Sequence, residues 1–464
     1  MCTPAPRVTF HLAIASAVVL IFAACGLERS TPRRVMQPAT VLPPPTRSLP
    51  PLPVRPLSPR LEAARDRVAA AAAAMRELEW KSKPGMTELT GWEYGTRTKE
   101  VAEALGGDDL KALSQLAVAG GILPEGTDLA TLAVSFTALS SGATYSPLDR
   151  QVLVLADDSK TESARSDSLL THEFVHSLQD QHFDLLSLLL ARPYNFDRAE
   201  ALFALVEGDA MNVQRRFENG PAWSRRSLED IARQEDERFA EYRQGIGALF
   251  PPLLTETFIF RYRDGARFVE AVRRARPPRS TNEIYRRPPR SSEQVLHPEK
   301  YLATLSGAAG GDEPREVSVD EKGFNVGGWH TRASTPLGEI GMRGLLMAGV
   351  PGREAVRAAA GWGGDRAYVF ERSGGGGLGG TSLFVWRTVW DKREDAQEFW
   401  RAYGALLRRR AGREAGDSLA PGGDSSLVWR EAAHLTVVRL EGDTVLVVRG
   451  NENDLPAALQ LLQN

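Results

Sequence analysis

Two histidines and a glutamate lie close together in the segment 169–176, which reads LLTHEFVH. In a helix, His172 and His176 are one turn apart along the axis and about 40° apart around it, so both imidazoles can bind one metal ion. Glu173 then lies beside that ion, where its carboxylate can accept a proton from a metal-bound water. The chain has only 7 histidines, so their abundance does not explain the spacing. The pattern predicts a zinc site that activates water for hydrolysis.

A hydrolytic zinc site needs a third protein ligand, and three residues are candidates. Glu207 lies in the segment ALVEGDA, whose small residues would let one helix approach another closely. Glu200 lies seven residues earlier, near a helix start, where an acidic residue also serves the helix dipole. His182 follows Gln179, which stands where a helix-breaking glycine would be needed, so a straight helix carries it about 15 Å along the axis from His172. Glu207 is the preferred ligand, and Glu200 and His182 are the alternatives.

Three regular elements are predicted to position these residues. The apolar, β-branched run Gln151–Ala156 predicts a strand, Ser163–Gln181 predicts the helix that carries HExxH, and Asp197–Phe217 predicts a second long helix. If the strand lies at a sheet edge, it can pair with an extended peptide. The same residues also suit an ordinary core strand.

The order of strand, HExxH helix and then glutamate resembles the gluzincin arrangement of thermolysin-like zinc peptidases. The segments THEFVHSLQDQHFDL and ALVEGDA are similar to a set of bacterial HExxH proteins, as is the later segment SEQVLHPEKY at 292–301. The resemblance covers about Gly142–Tyr301, with a weaker echo in GWGGDR at 361–366. It implies His172, His176 and Glu207 as zinc ligands and Glu173 as the general base.

One position departs from that resemblance. Thermolysin-like enzymes carry an aspartate four residues after the ligand glutamate, where it orients a histidine, but this chain has Met211 there. Asp209 is nearby, yet its position two residues after Glu207 predicts that it faces elsewhere. The sequence therefore leaves the support of the ligand histidines open.

The expected activity is that of a zinc-dependent endopeptidase acting on a peptide or protein substrate. A group other than the zinc must stabilise the oxyanion that forms during hydrolysis. His297 is the preferred second catalytic residue, with Tyr285 and Tyr301 as alternatives. Two other readings stay open: a catalytically inactive gluzincin-like envelope lipoprotein that binds or scaffolds, and a zinc site of purely structural role.

The first 60 residues predict export and anchoring. Residues 1–24 form a signal peptide, because Arg7 precedes the apolar run Leu12–Ala24, which is too short to span a membrane. Phe22–Cys25 resembles a bacterial lipobox, which makes Cys25 the lipidated first residue of the mature chain; an ordinary signal peptide cut near Ala24 is the alternative. The expected location is the bacterial cell envelope, with a lipid anchor in a membrane.

The remaining chain predicts an α+β fold in two domains. Residues 25–60 are a proline-rich tether, residues 61–305 a mainly helical, gluzincin-like peptidase domain with a short sheet, and residues 325–464 a small α+β domain. The only cysteines, Cys2 and Cys25, precede these domains, so a metal site there must use histidine and carboxylate ligands. A net charge of -2 argues against a nucleic-acid partner.

Overall fold

The computed structural model describes residues 49–129, 131–132, 142–156, 167–189, 194–276, 280–308, 311–372, 381–411, 426–431 and 434–462. They form an α+β fold with a helical first part and a C-terminal sheet, which confirms the predicted class. The helices of the first part are α1 (Pro59–Arg76), α2 (Gly91–Ala119), α3 (Asp167–Phe183), α4 (Leu185–Leu189), α5 (Phe196–Asn219), α6 (Pro221–Ser224), α7 (Leu228–Gln244), α8 (Pro252–Ile259), α9 (Gly265–Ala275), α10 (Ser280–Arg286), α11 (Ser292–Leu296) and α12 (Pro298–Ser306). A 3₁₀ turn (Ile246–Leu249) follows α7, and a π turn (Phe260–Asp264) joins α8 to α9.

A three-stranded sheet packs against the helix that carries HExxH. Its strands are β1 (Gly85–Leu89), β2 (Ala143–Ser146) and β3 (Gln151–Leu155), in the order β1-β3-β2. The sequence predicted β3 but not its two short neighbours. Because β1 pairs parallel and β2 pairs antiparallel with β3, the suggestion that β3 is an edge is wrong. The edge beside the helix α3 belongs to β2.

The two long helices of the predicted site, α3 and α5, belong to one buried layer. Leu170, Phe174 and Val175 of α3 pack with Ala210 and Val213 of α5 in a shared apolar cluster. In both helices a continuous run of residues is buried, Leu169–Gln179 in α3 and Ala199–Arg215 in α5, as is typical of helices surrounded by other elements. As a result, the middle of α3 lies directly against the middle of α5.

Helix α5 also crosses α9 with almost no space between the two backbones. A Cβ atom added at Gly208 would lie 2.1 Å from the carbonyl carbon of Gly265, and one added at Gly265 would lie 2.1 Å from the carbonyl oxygen of Ala204. Neither backbone group can rotate away as a flexible side chain would. The crossing therefore requires glycine at both positions, one of them directly after Glu207.

We expect Gly208→Ala to lower the free energy of unfolding by about 3 kcal/mol, because the added methyl group overpacks a backbone contact. Gly95→Ala is the matched control: Gly95 lies in α2, and a Cβ there meets nothing within 4 Å. That substitution should instead stabilise the protein by about 0.5–1 kcal/mol through helix propensity. Chemical denaturation of both variants measures the two values. Equal effects of the two substitutions would contradict the close crossing.

The C-terminal part is an antiparallel sheet covered by helices. Its strands are β4 (His330–Thr335), β5 (Trp362–Arg372), β6 (Thr381–Trp390), β7 (Ser426–Glu431), β8 (His434–Glu441) and β9 (Thr444–Asn451), in the order β4-β5-β6-β9-β8-β7. The helices are α13 (Glu321–Val326), α14 (Gly338–Leu346), α15 (Gly352–Ala359), α16 (Arg393–Ala411) and α17 (Leu455–Leu461). The runs 435–440 and 444–449, with Glu441, Gly442 and Asp443 between them, predict a hairpin, and the antiparallel pairing of β8 with β9 confirms it. Leu116 of α2 belongs to the same core, so the two parts of the chain share buried surface.

The GWGGD segment holds this second part together through Asp365. Its carboxylate accepts hydrogen bonds from the backbone N–H groups of Leu337 and Gly338, at 2.9 Å each, and from the indoles of Trp362 and Trp386, at 2.9 and 2.7 Å. All these groups are buried. The segment that echoes the sequence resemblance therefore has a structural role in fixing the start of α14 to the sheet.

The chain before α1 lies against the folded body. The guanidinium of Arg97 donates to the carbonyl of Pro50 at 2.8 Å, and Arg55 pairs with Glu93 at 2.6 Å. Residues 49–58 were predicted as part of a solvated tether, so the packed structure begins earlier than expected. The predicted signal peptide, Cys25 and residues 25–48 lie outside the described residues. Within the described ranges, no helix is both long and apolar enough to cross a membrane.

Candidate metal centre

Helices α3 and α5 bring together the three predicted ligands. The Nε2 atoms of His172 and His176 are 3.0 Å apart, and the Glu207 Oε2 lies 3.1 Å from the first and 3.4 Å from the second. Zinc bonds of about 2.0–2.1 Å in a tetrahedral arrangement would place such ligand atoms about 3.3 Å from one another. The triangle therefore has the size that one zinc ion needs. All three side chains are buried, with at most 1% of each side chain exposed.

The two alternative third ligands lie elsewhere. The carboxylate of Glu200 forms a buried ion pair with Arg261, with N–O distances of 2.7 and 2.5 Å. His182 donates from Nε2 to the carbonyl of Glu79 at 2.8 Å, near the surface. Since neither belongs to the cluster, the preference for Glu207 rests on geometry as well as on its neighbours in the sequence.

The charge of the Glu207 carboxylate suits a cation. Burial raises the pKa of the Glu207 carboxyl, but the facing imidazoles of His176 and His172 outweigh this effect and lower it to about 2. Burial lowers the pKa of His176, but the charge of Glu207 raises it to about 9. An ionised carboxylate is therefore held in a fully buried place beside nitrogen donors. Among the described residues, no protein group pairs with its second oxygen, Oε1.

Glu173 lies where a general base for this centre would be needed. The backbone N–H of Tyr145, on the edge strand β2, donates to its Oε2 at 2.7 Å. Its Oε1 has no hydrogen-bond partner among the described residues, and the side chain is fully buried. Burial raises the pKa of this carboxyl well above its usual value. One oxygen is thus fixed by the sheet while the other remains available to accept a proton.

Gln179 supports His176 from one turn further along α3. The Nδ1–H of His176 donates to the Gln179 Oε1 at 2.8 Å, which leaves the Nε2 of His176 free to bind a metal. The amide nitrogen of Gln179 donates to the Val206 carbonyl at 2.9 Å and to Asp209 at 3.1 Å. This side chain therefore links the ligand histidine to the helix that carries Glu207.

The expectation that Asp209 faces away from the site is wrong. Its Oδ2 accepts from Gln179, from the guanidinium of Arg76 at 2.8 Å and from the hydroxyl of Tyr285 at 3.0 Å. It does not touch His176 itself, because the longer side chain of Gln179 bridges the distance. Asp209 therefore supports the ligand histidine indirectly, through Gln179. The sequence carries no signal for this contact, because it crosses between two helices.

We expect Gln179→Leu to weaken zinc binding by about 10–100-fold, since loss of the residue that orients a ligand histidine typically has this effect. Leucine has nearly the same volume but cannot accept the Nδ1–H of His176. Competition with a chromophoric chelator measures the affinity. Gln181→Leu, two residues further along the helix and bonded to the 81–82 backbone, is the control and should leave the affinity unchanged. An unchanged affinity in the first variant would contradict the role of Gln179.

Tyr262 is a site residue that the sequence did not suggest. Its ring lies over the imidazole of His172, with centroids 6.0 Å apart and an interplanar angle of 24°. Tyr262 belongs to the π turn, a local irregularity that is frequent at functional sites because it re-aims side chains. The preceding residue, Arg261, binds Glu200 from the same turn. The turn thus packs one face of the first ligand histidine.

The predicted oxyanion-stabilising residues have other partners. The Nε2 of His297 lies 3.1 Å from the buried carboxylate of Glu339, in the C-terminal part of the chain. Tyr285 donates its hydroxyl to Asp209, and Tyr301 donates its hydroxyl to the carbonyl of Arg287 at 2.7 Å. The structure brings none of the three into the metal cluster, so a catalytic role for His297 gains no support from its surroundings.

Comparison with known proteins covers only the C-terminal part. A family described as a domain of unknown function (DUF8575) matches residues 326–460, from just before β4 into α17. No curated protein and no solved structure matches the chain. The metal cluster lies outside the matched residues, in the helical first part. The C-terminal sheet is therefore similar to a domain of unknown function, whereas the metal centre stands on its own geometry.

Proposed function

We propose that this protein is a zinc-dependent endopeptidase. The observation that carries the proposal is the triangle of His172 Nε2, His176 Nε2 and Glu207 Oε2, with the carboxylate of Glu173 on the next residue of the ligand helix. Three protein ligands and an adjacent general base are the usual composition of a hydrolytic zinc site, because the fourth position is needed for water. A structural zinc site normally has four protein ligands and no need for Glu173.

The residues around the zinc divide the chemistry between them. Zinc held by the three ligands would lower the pKa of a bound water toward neutrality and polarise the peptide carbonyl. Glu173 would act as the general base through Oε1 and would donate the proton to the leaving amine, while the N–H of Tyr145 holds Oε2 in place. Gln179 keeps the proton of His176 on Nδ1, which preserves Nε2 as a ligand atom.

The edge strand β2 holds the general base in place. β2 pairs with β3 on one side only, and the N–H of Tyr145 on its other side donates to Glu173. All four residues of β2 are buried, so this edge is not open to an extended peptide. The pairing with substrate that the sequence suggested for β3 is therefore not assigned to β2.

The complete burial of the cluster favours one rival, a structural zinc site in a binding or scaffold protein. Glu173, His172 and Glu207 are each 0% exposed, as ligands of a structural zinc often are. That rival requires a fourth protein ligand, and the described residues offer three. The two functions differ in an observable way, because only the peptidase depends on Glu173.

Metal analysis and proteolysis of the purified full-length protein test the proposal. We expect about one zinc per chain, cleavage of casein or a quenched peptide library, loss of cleavage after chelation, and recovery on zinc addition. Tightly bound zinc without any cleavage that depends on Glu173 would support the structural site instead. Absence of zinc binding would contradict both functions.

We also propose that the protein acts in the bacterial cell envelope, anchored to a membrane by a lipid on Cys25. The motif Phe22–Cys25 supports this location. Metabolic labelling with a radioactive fatty acid should mark the wild type but not Cys25→Ser. Labelling of the variant at the wild-type level would refute the anchor.

A further inference from the structure

A surface groove begins at the strand that holds Glu173. It consists of two adjoining clefts of about 620 and 470 Å³ that share His182. The first cleft is lined by Tyr145, whose N–H binds Glu173, and by Ser177, which directly follows the ligand His176. The groove therefore lies beside the proposed catalytic centre, along the C-terminal half of α3.

The end of α3 holds the opposite wall of the groove in place. The side-chain oxygen of Gln181 accepts from the backbone N–H groups of Lys81 and Ser82, at 2.9 and 3.1 Å. The ammonium of Lys81 donates to the Gln181 carbonyl at 2.8 Å, and His182 donates to the carbonyl of Glu79. These contacts give a structural role to Gln181 and His182, which have no part in the metal centre. The groove has a fixed shape because both walls are tied to the ligand helix.

Three cationic side chains line the first cleft and would attract an anionic group. Lys81, Lys83 and Arg150 are all exposed there. The charge of Arg150 acts on Tyr145 and Asp180, and its guanidinium forms no hydrogen bond with the described residues. The carboxylates on the other side are already bonded within the chain. Asp180 accepts from the hydroxyl of Tyr145 at 2.8 Å and from the N–H of Leu185 at 2.9 Å.

Asp184, the other acidic residue of the first cleft, is likewise engaged. It accepts from the N–H and the hydroxyl of Ser187, at 3.2 and 2.6 Å. The ammonium of Lys81 is bonded to the Gln181 carbonyl, and that of Lys83 lies 3.8 Å from Asp66. Arg150 is therefore the main donor left for a ligand in this cleft, and an arginine offers a fork that matches a carboxylate.

We propose that this groove binds the peptide substrate and selects one carboxylate on it through Arg150. The proposal rests on the proposed peptidase function and specifies its substrates as peptides that carry a carboxylate at that position. The carboxylate is either an Asp or Glu side chain near the scissile bond or the C-terminus of the peptide. The second cleft, which contains Glu77, Glu79 and Glu283, would accommodate the remainder of the chain.

Matched fluorescent peptides test the selection. A decapeptide library with Glu or Gln fixed at each position in turn, made with either a free or an amidated C-terminus, is offered to the zinc-loaded full-length protein. We expect kcat/KM to be about tenfold higher for Glu than for Gln at one or two positions, because a forked arginine contact is a strong, charge-assisted hydrogen bond. Arg150→Gln should reduce this preference to less than about twofold. A preference that instead follows the free C-terminus would assign the carboxylate to the peptide end.

Binding measured without turnover separates this inference from the proposed function. Fluorescence anisotropy of the same peptides, recorded with the zinc-loaded Glu173→Gln variant, should show the same preference and the same loss when Arg150→Gln is added. Arg225→Gln is the matched control, since this exposed arginine lies on the turn after α6, outside the groove. Cleavage without any preference between Glu and Gln would overturn the inference and leave the peptidase intact. Binding that prefers Glu without any cleavage would support the groove and count against the peptidase.

Discussion

Replacing Glu173 by glutamine is expected to lower kcat for peptide hydrolysis by about 10²–10⁴-fold, the usual contribution of a general acid–base residue. The amide oxygen of glutamine can still accept the N–H of Tyr145, so the side chain should keep its position. A neutral amide cannot accept a proton as the carboxylate would. Zinc content should remain near one per chain, since Glu173 is not among the three ligands. The substitution thus removes the chemistry and leaves the metal.

The measurement combines metal analysis with steady-state kinetics on the same preparation. Glu229→Gln is the matched control, because this substitution changes the net charge by the same amount. Glu229 is exposed in the first turn of α7. Its kcat should equal that of the wild type. If Glu173→Gln cleaves peptides at the control rate, the activity does not come from this site, and the proposed mechanism fails.

The second large effect is expected on the affinity for zinc. It appears when substitutions of two glutamates on α5, Glu207 and Glu200, are compared. Glu207→Gln should weaken zinc binding by more than about 100-fold, because loss of a mere supporting partner already costs 10–100-fold and Glu207 is a ligand. The charge of Glu207 also matters: an anionic oxygen in a fully buried site attracts a dication far more strongly than a neutral amide does. Competition with a chromophoric chelator measures the affinity of the variant and of the wild type for zinc.

Glu200→Gln should show the opposite pattern. Its carboxylate pairs with Arg261 in the interior, where only 2% and 6% of the two side chains are exposed. Removal of one partner from a buried ion pair typically costs about 3–5 kcal/mol, so denaturation should detect a clear loss of stability. Zinc affinity should stay at the wild-type value. If Glu200→Gln loses zinc while Glu207→Gln keeps it, the third ligand has been assigned to the wrong residue.

Much of the fold follows from local patterns in the sequence. The apolar spacing of α3 and α5, the β-branched run of β3 and the turn between β8 and β9 each depend on a few neighbouring residues. Such patterns were sufficient to predict the α+β class. The short strands β1 and β2 were not predicted, because GMTEL and ATYS lack the run of apolar and β-branched residues that marks β3.

The pairing of His172 with His176 is also a property of the sequence. An α-helix repeats every 3.6 residues, so a spacing of four places two side chains on one face in whatever fold the helix belongs to. The carboxylate next to them, Glu173, is fixed by the same rule. These residues form one local unit, and no other part of the chain is needed to predict it.

The tertiary structure alone decided which residues complete the centre. Glu207 and Glu200 carry the same carboxylate on the same helix, and only the packing of α5 against α3 and the π turn gives one to the histidines and the other to Arg261. The link from Asp209 through Gln179 likewise crosses between helices. Contacts of this kind depend on how far apart and at what angle two elements pack, which is set by the summed burial of many side chains. No spacing along one segment encodes that sum.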